Sequence, residues 1–323
     1  MRYRDTATGL VVRGEAIEYV DFPAIEWVIG LENTGAADTP ILADIQPLDT
    51  RFAVDPERSC WVHHARGSQF CLEDFEPFAT PLMLTEADSP DRVGMSEIRH
   101  IEGLYAFWDE LLARHPGLVI DNCSSGGRRI DLESISRGIT FTRSDLNDWP
   151  HDDDHVVAMQ TLTHGLSLWY SVSFACTRGM DIYKMRSALG PGIAMRWSYA
   201  AVINHQDVPM DVLRPRLDEL ASVREYFYGD YYPLLPFSLT REAWDGWQFD
   251  RPDLGSGIVQ LFRRDNSPIE SARLKLHGLD PAAPYEVTHA DTSRPVKMTG
   301  QVLTIDGGYV MDGSLPGAEY WTE

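Results

Sequence analysis

The sequence predicts a mixed α/β chain in three parts: a β-rich segment over residues 1–80, alternating strands and helices over 81–235, and a closing antiparallel β-sandwich over 236–323. Three observations predict it. Residues 1–80 carry β-branched and aromatic runs between turn signals. A helical period begins near Glu97 and is followed by short apolar runs that alternate with helical stretches. Strand-length runs separated by turns return after about residue 236. At 323 residues the chain exceeds the roughly 100–200 residues of one ordinary domain, so two or three domains are expected.

The N-terminal strands are read at LVVR, AIEYV and AIEWVIGL, broken by Asn33-Thr34-Gly35 and Thr39-Pro40. TPLMLTEADSPDRVGMSE loses periodicity and gains Pro, Asp and Ser, which places a linker between about 80 and 98. IRHIEGLYAFWDELLARHPG then puts Ile98, Ile101, Leu104, Tyr105, Trp108, Leu111 and Leu112 on one face of a helix that stops at Pro116-Gly117. LVIDNC follows as a strand, then a helical stretch at DLESISR, the run GITFTRSD, a helix from Pro150 and the apolar LSLWYSVSFAC. Strands alternating with helices imply parallel β/α units. A last helix over MDVLRPRLDELASVREYFYGDYY precedes strands at GIVQLFRR, ARLKLHGL, YEVTHA and QVLTIDGGYVM.

Forty-nine acidic against 28 basic side chains give a net charge of −21, which repels a phosphate backbone and an anionic bilayer alike, so neither nucleic acid nor membrane is expected as a partner. MRYRDTATGL has no apolar run behind its basic residues, and no stretch of about 18 apolar residues occurs. A soluble, cytoplasmic protein is expected. The four cysteines, Cys60, Cys71, Cys123 and Cys176, form no CxxC pair and are read as reduced thiols.

Polar residues at strand ends carry the functional signal, because β/α barrels build their sites there. Asp121-Asn122-Cys123-Ser124-Ser125-Gly126-Gly127-Arg128-Arg129-Ile130-Asp131 ends one strand, and Arg143-Ser144-Asp145 ends the next. Gly126-Gly127 lets backbone amides approach a ligand, or simply makes a tight turn. Other constellations read as structural. Pro150 and the acidic run of His151-Asp152-Asp153-Asp154-His155 mark a helix N-terminus rather than a metal site. His63-His64 reads as a surface turn. Ser144, His164 and Asp181 lack the GxSxG elbow of a hydrolase triad. Trp244 and Trp247 read as core before they read as a sugar platform.

CSSGGRRID followed by Ser144-Asp145 resembles the paired motifs of glycoside hydrolase family 36, the α-galactosidases. HHARGSQF, EGLYAFWDELLARHPG, RSALGPG, GDYYPL and WQFDRPDLGSG look like the same family in the same order. The resemblance implies an N-terminal β-sandwich remnant, a partial (β/α) TIM-type barrel and a C-terminal antiparallel β-sandwich. It implies hydrolysis of terminal α-galactosides with retention, with no metal or organic cofactor. Asp145 takes the place of the general acid/base. Cys123, Ser125, Gly126 and Gly127 take the place of the sugar-contacting loop; Arg129 and Asp131 fit it too, as sugar contacts or as an ion pair that holds the loop.

The Lys-Trp-Asp type motif that carries the family's nucleophile has no counterpart, and the segment between HHARGSQF and RVGMSEIRHIEGLY reads as an internal deletion. The nucleophile is therefore unassigned, with Asp109, Asp121, Asp131 and Asp148 as the local carboxylates. The alternative reading is a non-catalytic remnant that keeps part of a sugar-binding loop. An open half-barrel would leave an unpaired parallel edge, so a homo-oligomer is expected.

Overall fold

The structure, a computed structural model, describes residues 1–21, 25–39, 42, 61–68, 71–81, 95–124, 126–147, 154–177, 181–195, 209–291, 295–304, 309–312 and 319–322. The chain forms two compact units, Met1–Trp61 with Pro81–Ile98, and Val62–Thr80 with Arg99–Glu323. This division departs from the boundaries expected at residues 80 and 235. Residues 62–80 join the second unit because side chains bond them to distant residues, and the C-terminal strands share a core with the β/α region.

The first unit holds one antiparallel sheet of β1 (Arg2–Arg4), β2 (Leu10–Glu18) and β3 (Ile25–Asn33), in that order. LVVR and the AIE of AIEYV, read as parts of two strands, form the single strand β2, which ends at Glu18. Gly14 does not break it, because it pairs with Ile29 inside a continuous register from Leu10↔Asn33 to Glu18↔Ile25. Arg2–Arg4 adds an edge strand with no period-2 signal of its own.

The strand β4 (Trp61–Ala65) pairs with β5 (Pro77–Pro81), so His63 and His64 lie on a strand, where His64 stacks on Phe78, and not on a turn. The helix α1 (Met95–Arg114) covers the amphipathic segment and buries Trp108. Four short parallel segments follow. Ile139 N–H donates to Ile120 O and Asn122 N–H to Ile139 O, both at 2.8 Å, and Phe174 N–H donates to Phe141 O at 3.0 Å. The last two segments are β6 (Phe174–Thr177) and β7 (Gly192–Met195), paired in parallel from Phe174↔Gly192. Helices α2 (Leu132–Ile135), α3 (Asp154–Leu166), α4 (Ile182–Ser187) and α5 (Met210–Val223) follow the segments in turn. The apolar stretch LSLWYSVSFAC divides: Leu166 closes α3, and only Phe174–Thr177 forms the strand.

The C-terminal strands are β8 (Asp230–Pro233), β9 (Trp244–Arg251), β10 (Ser256–Arg263), β11 (Ser271–Leu274), β12 (Pro284–His289), β13 (Pro295–Thr299), β14 (Tyr309–Asp312) and β15 (Glu319–Thr322). Six of them form an antiparallel sheet in the order β13-β12-β15-β10-β9-β8, and β11 pairs with β14. Between β13 and β14, QVLT is helical rather than extended, in α6 (Gly300–Thr304). Leu303 is buried there among Leu274, Leu276 and Tyr285, and one apolar anchor suffices for a single helical turn.

The central strands β9 and β10 are buried on both faces. Val259 and Leu261 pack with Leu274 and Val287, while Ile258 and Phe262 pack with Leu189, Val223 and Phe227 of the β/α region. Two-sided burial explains why these strands read as nearly continuous apolar runs. It also ties the sheet to the β/α region in one unit. The observed architecture is a mixed α/β fold with several sheets. No helix among the described residues is long and apolar enough to cross a membrane.

Candidate functional site

The two strand-end motifs meet, and a third segment that the sequence did not assign meets them. Ser144 Oγ donates to Asp74 Oδ2 at 2.7 Å across 70 residues of chain. Asp74 is fully buried and collects further donors: Ser68 Oγ at 3.1 Å on Oδ2, and the Cys71 amide at 3.2 Å and thiol at 3.5 Å on Oδ1. Burial pushes the Cys71 thiol up to about 11, with Glu73 and Asp74 adding to the shift, so sulfur stays protonated and able to donate. Donors on both oxygens fix the carboxylate in one orientation.

The residue after Asp74 is backbone-strained. Phe75 has φ 62°, the left-handed region, which costs a residue other than glycine on the order of 1–3 kcal/mol. Its surroundings enforce it. A Cβ on Gly165 of α3 would lie 2.1 Å from the Phe75 carbonyl oxygen, and one on Gly127 would lie 2.6 Å from the Phe75 ring. Gly126 at φ 82° bridges Ser144, and a Cβ there would lie 2.4 Å from Ser144 Cα. The Gly-Gly pair thus has a packing reason: it lets the loop close onto Ser144 and Phe75.

Asp145 opens a 3₁₀ turn, Asp145–Asn147, directly after Ser144 and is half-buried. Among the described residues its carboxylate makes no hydrogen bond or ion pair, so it is available to a ligand. Cys123 is exposed and Arg129 half-buried; Ser125 lies outside the described residues. Asp131 is the N-cap of α2, accepting from the Ser134 amide at 2.9 Å and hydroxyl at 2.8 Å. Among the described residues no ion pair joins it to Arg129, so capping is what holds this end of the loop.

Three of the four local carboxylates are engaged elsewhere. Asp109 pairs with Arg137 at 2.7 Å, Asp121 accepts from the Phe141 amide at 3.3 Å, Asp131 caps, and Asp148 lies outside the described residues. Among the described residues, Asp74 is the carboxylate bonded to Ser144 of the Ser144-Asp145 motif. Sequence reasoning missed it because CLEDFEP offers three acidic side chains, Glu73, Asp74 and Glu76, with no local pattern to single out Asp74. The nearby HHARGSQF was the only pointer.

Ser144, His164 and Asp181 are dispersed. Ser144 binds Asp74, His164 Nδ1 lies 2.7 Å from Asp245 Oδ1, and Asp181 caps α4. Asp245 also accepts from buried Arg264 at 2.8 Å, and Arg264 Nε donates to Gln160 of α3 at 3.0 Å. This buried chain ties α3, which follows the motif, to β9 and β10. Trp244 and Trp247 are buried core residues whose indole N–H groups bond Ile269 O and Gln260 Oε1. His151, Asp152 and Asp153 lie outside the described residues, while Asp154 opens α3 and pairs with Arg241 at 3.6 Å.

No family model matches the chain. α-Galactosidase 1 of Pediococcus pentosaceus is 24% identical over 208 residues, which is 61% of this chain and 27% of the relative. α-Galactosidase AgaA of Geobacillus stearothermophilus is 26% identical over 212 residues, again 61% and 27%. Among solved structures, the GH36 α-galactosidase AgaB of Geobacillus stearothermophilus superposes with a TM-score of 0.53 at 21% identity, covering 75% of this chain and 34% of that one. The galactosidase domain of the α-galactosidase-sucrose kinase AgaSK gives 0.52 at 18%, covering 69% and 31%. The chain therefore spans about a quarter of the length of the curated relatives it matches, and it resembles the family 36 α-galactosidases in sequence and fold.

Proposed function

We propose that the chain supplies both carboxylates for the retaining hydrolysis of terminal α-galactosides, with Asp145 as general acid/base and Asp74 as nucleophile. The observation that carries this reading is the 2.7 Å hydrogen bond from Ser144 to Asp74, which brings a second carboxylate to the residue beside Asp145. Retention needs one carboxylate on each side of the anomeric carbon, about 5–5.5 Å apart. Asp145 gives its proton to the leaving oxygen while Asp74 attacks the anomeric carbon. Water, deprotonated by Asp145, then releases the sugar from the resulting ester. The strained Phe75 next to Asp74 supports the reading, since such strain concentrates at functional sites. The galactoside specificity rests on the relatives' names. The finer architecture belongs to the same proposal: a half (β/α)₈ barrel with a C-terminal sandwich, in a self-associating, cytoplasmic protein. So do sugar contacts by Cys123, Ser125, Gly126, Gly127, Arg129 and Asp131.

A second reading is favoured by the full burial of Asp74. There Asp74 only anchors Ser144, and the chain is a non-catalytic remnant. Azide separates the two with an aryl α-galactoside as substrate. The hydrolase reading expects kcat to fall by about 10³-fold or more in both Asp74→Asn and Asp145→Asn. Azide should then yield a β-galactosyl azide with the first variant and an α-galactosyl azide with the second. An inactive, folded wild-type chain, or an Asp74→Asn variant that azide leaves unrescued, sinks the assignment of Asp74.

A further inference from the structure

The segment that carries Ser144 and Asp145 also carries a buried cation with no anionic partner among the described residues. Arg143 gives Nη1 to Thr163 Oγ1 at 2.7 Å and Nη2 to the Met159 carbonyl at 2.9 Å, both neutral acceptors, while its Nε is buried with no acceptor among the described residues. Burial pushes its pKa down to about 9, and no carboxylate among the described residues offsets that. A buried guanidinium ordinarily has an anionic partner, because an unpaired charge in a low-dielectric interior is strongly unfavourable.

Arg143 lines a cavity of about 10 Å³, together with the hydroxyl residues Thr163, Ser167, Ser171 and Ser173 and the apolar Phe227 and Phe249. That volume holds one water-sized guest. Water would satisfy the Nε–H but leave the charge; a monatomic anion does both. We propose that this cavity is a binding site for a single halide ion, chloride in ordinary buffers, held by the Arg143 guanidinium and the surrounding serine hydroxyls. Sulfate, phosphate and carboxylates are too large for the space. The net charge of −21 makes casual anion accumulation at the protein surface unfavourable, so binding must come from this local arrangement.

The test is made on the whole chain, dialysed into sodium gluconate and titrated with chloride, bromide or sulfate at constant ionic strength. Chloride and bromide should raise Tm saturably by about 2–4 °C and sulfate should not. Arg143→Gln should lose the response. Ser171→Ala, which keeps the charge and the fold, should shift the midpoint to higher chloride. Crystals soaked in bromide provide the deciding measurement, because bromine scatters anomalously. A peak within hydrogen-bonding distance of Arg143 establishes the site; a cavity that holds water and no bromide overturns it, whatever the melting curves show.

Discussion

The C-terminal sheet and the parallel segments of residues 118–195 share one compact unit but are held together differently. β9 and β10 pair residue by residue over eight positions, and seven residues of each strand are buried. The parallel segments meet through isolated bridges and one four-residue pair. What fixes their strand-end loops is side-chain chemistry instead: Ser144 on Asp74, Asp131 on the Ser134 amide, and glycines that admit a neighbouring backbone. A regular ladder gives stability without a site, whereas the loops give a site that depends on single contacts. The Arg264–Asp245–His164 chain, reaching α3 through His164 and through Gln160, connects the two.

Breaking that connection should have the largest effect. Asp245→Ala leaves Arg264 buried without its partner and should cost about 3–5 kcal/mol, read as a lowered urea midpoint. If the connection is what couples the two regions, unfolding followed by tryptophan fluorescence and by far-ultraviolet circular dichroism should coincide in the wild type and part in the variant. Coincident curves at unchanged stability would show that the sheet and α3 are independent.

The next effect should fall on the loops alone. Gly126→Ala must place a Cβ at φ 82° and 2.4 Å from Ser144 Cα, so Ser144 has to move off Asp74. A loss of about 1–3 kcal/mol is expected, with activity falling by more than the stability change explains. Activity that follows the folded fraction alone would remove the loop's role in holding the motif.

The same contrast governs what was legible from sequence. Periodicity found α1, the alternation of strands and helices, and β10 and β12, because those signals lie within ten or twenty neighbouring residues. It failed where a distant partner decides. Asp74 has meaning only once Ser144 arrives from 70 residues away, and α6 is set by where Leu303 finds its core. The strand β2 was split because Gly14 looks like a break until Ile29 is opposite it. The Ser-Asp and Gly-Gly motifs were found, though the packing reason for the glycines was not visible.

A pH experiment sharpens the contrast from the ladder side. Asp250 on β9 faces Asp230 on β8, and burial first, then Asp230, raises its pKa to about 6. A carboxyl raised in the folded state favours the protonated form. Stability from this group is therefore full below about pH 4, declines as pH rises to about 6, and stays low above that. Asp250→Asn should flatten this window and be more stable than wild type at pH 7 by on the order of 1–2 kcal/mol. An unchanged decline between pH 4 and 6 would assign it to another group.

The smallest effect on stability is expected at the open side of the parallel segments. Residues 120–122 pair with Ile139 on one side, and among the described residues nothing pairs with the other. Val119 is 62% exposed there. An exposed apolar parallel edge is a template for another chain, and a lysine on such an edge blocks pairing because its charge would have to be desolvated. Val119→Lys should change Tm by no more than about 1–2 °C, since the side chain is already in water. It should nevertheless shift a self-associated wild type toward monomer in light scattering. The added charge barely alters a net −21, so the shift would have to come from the edge itself rather than from general repulsion. A wild type that is monomeric at high concentration, or an assembly that Val119→Lys leaves intact, would mean that this edge is not where copies meet.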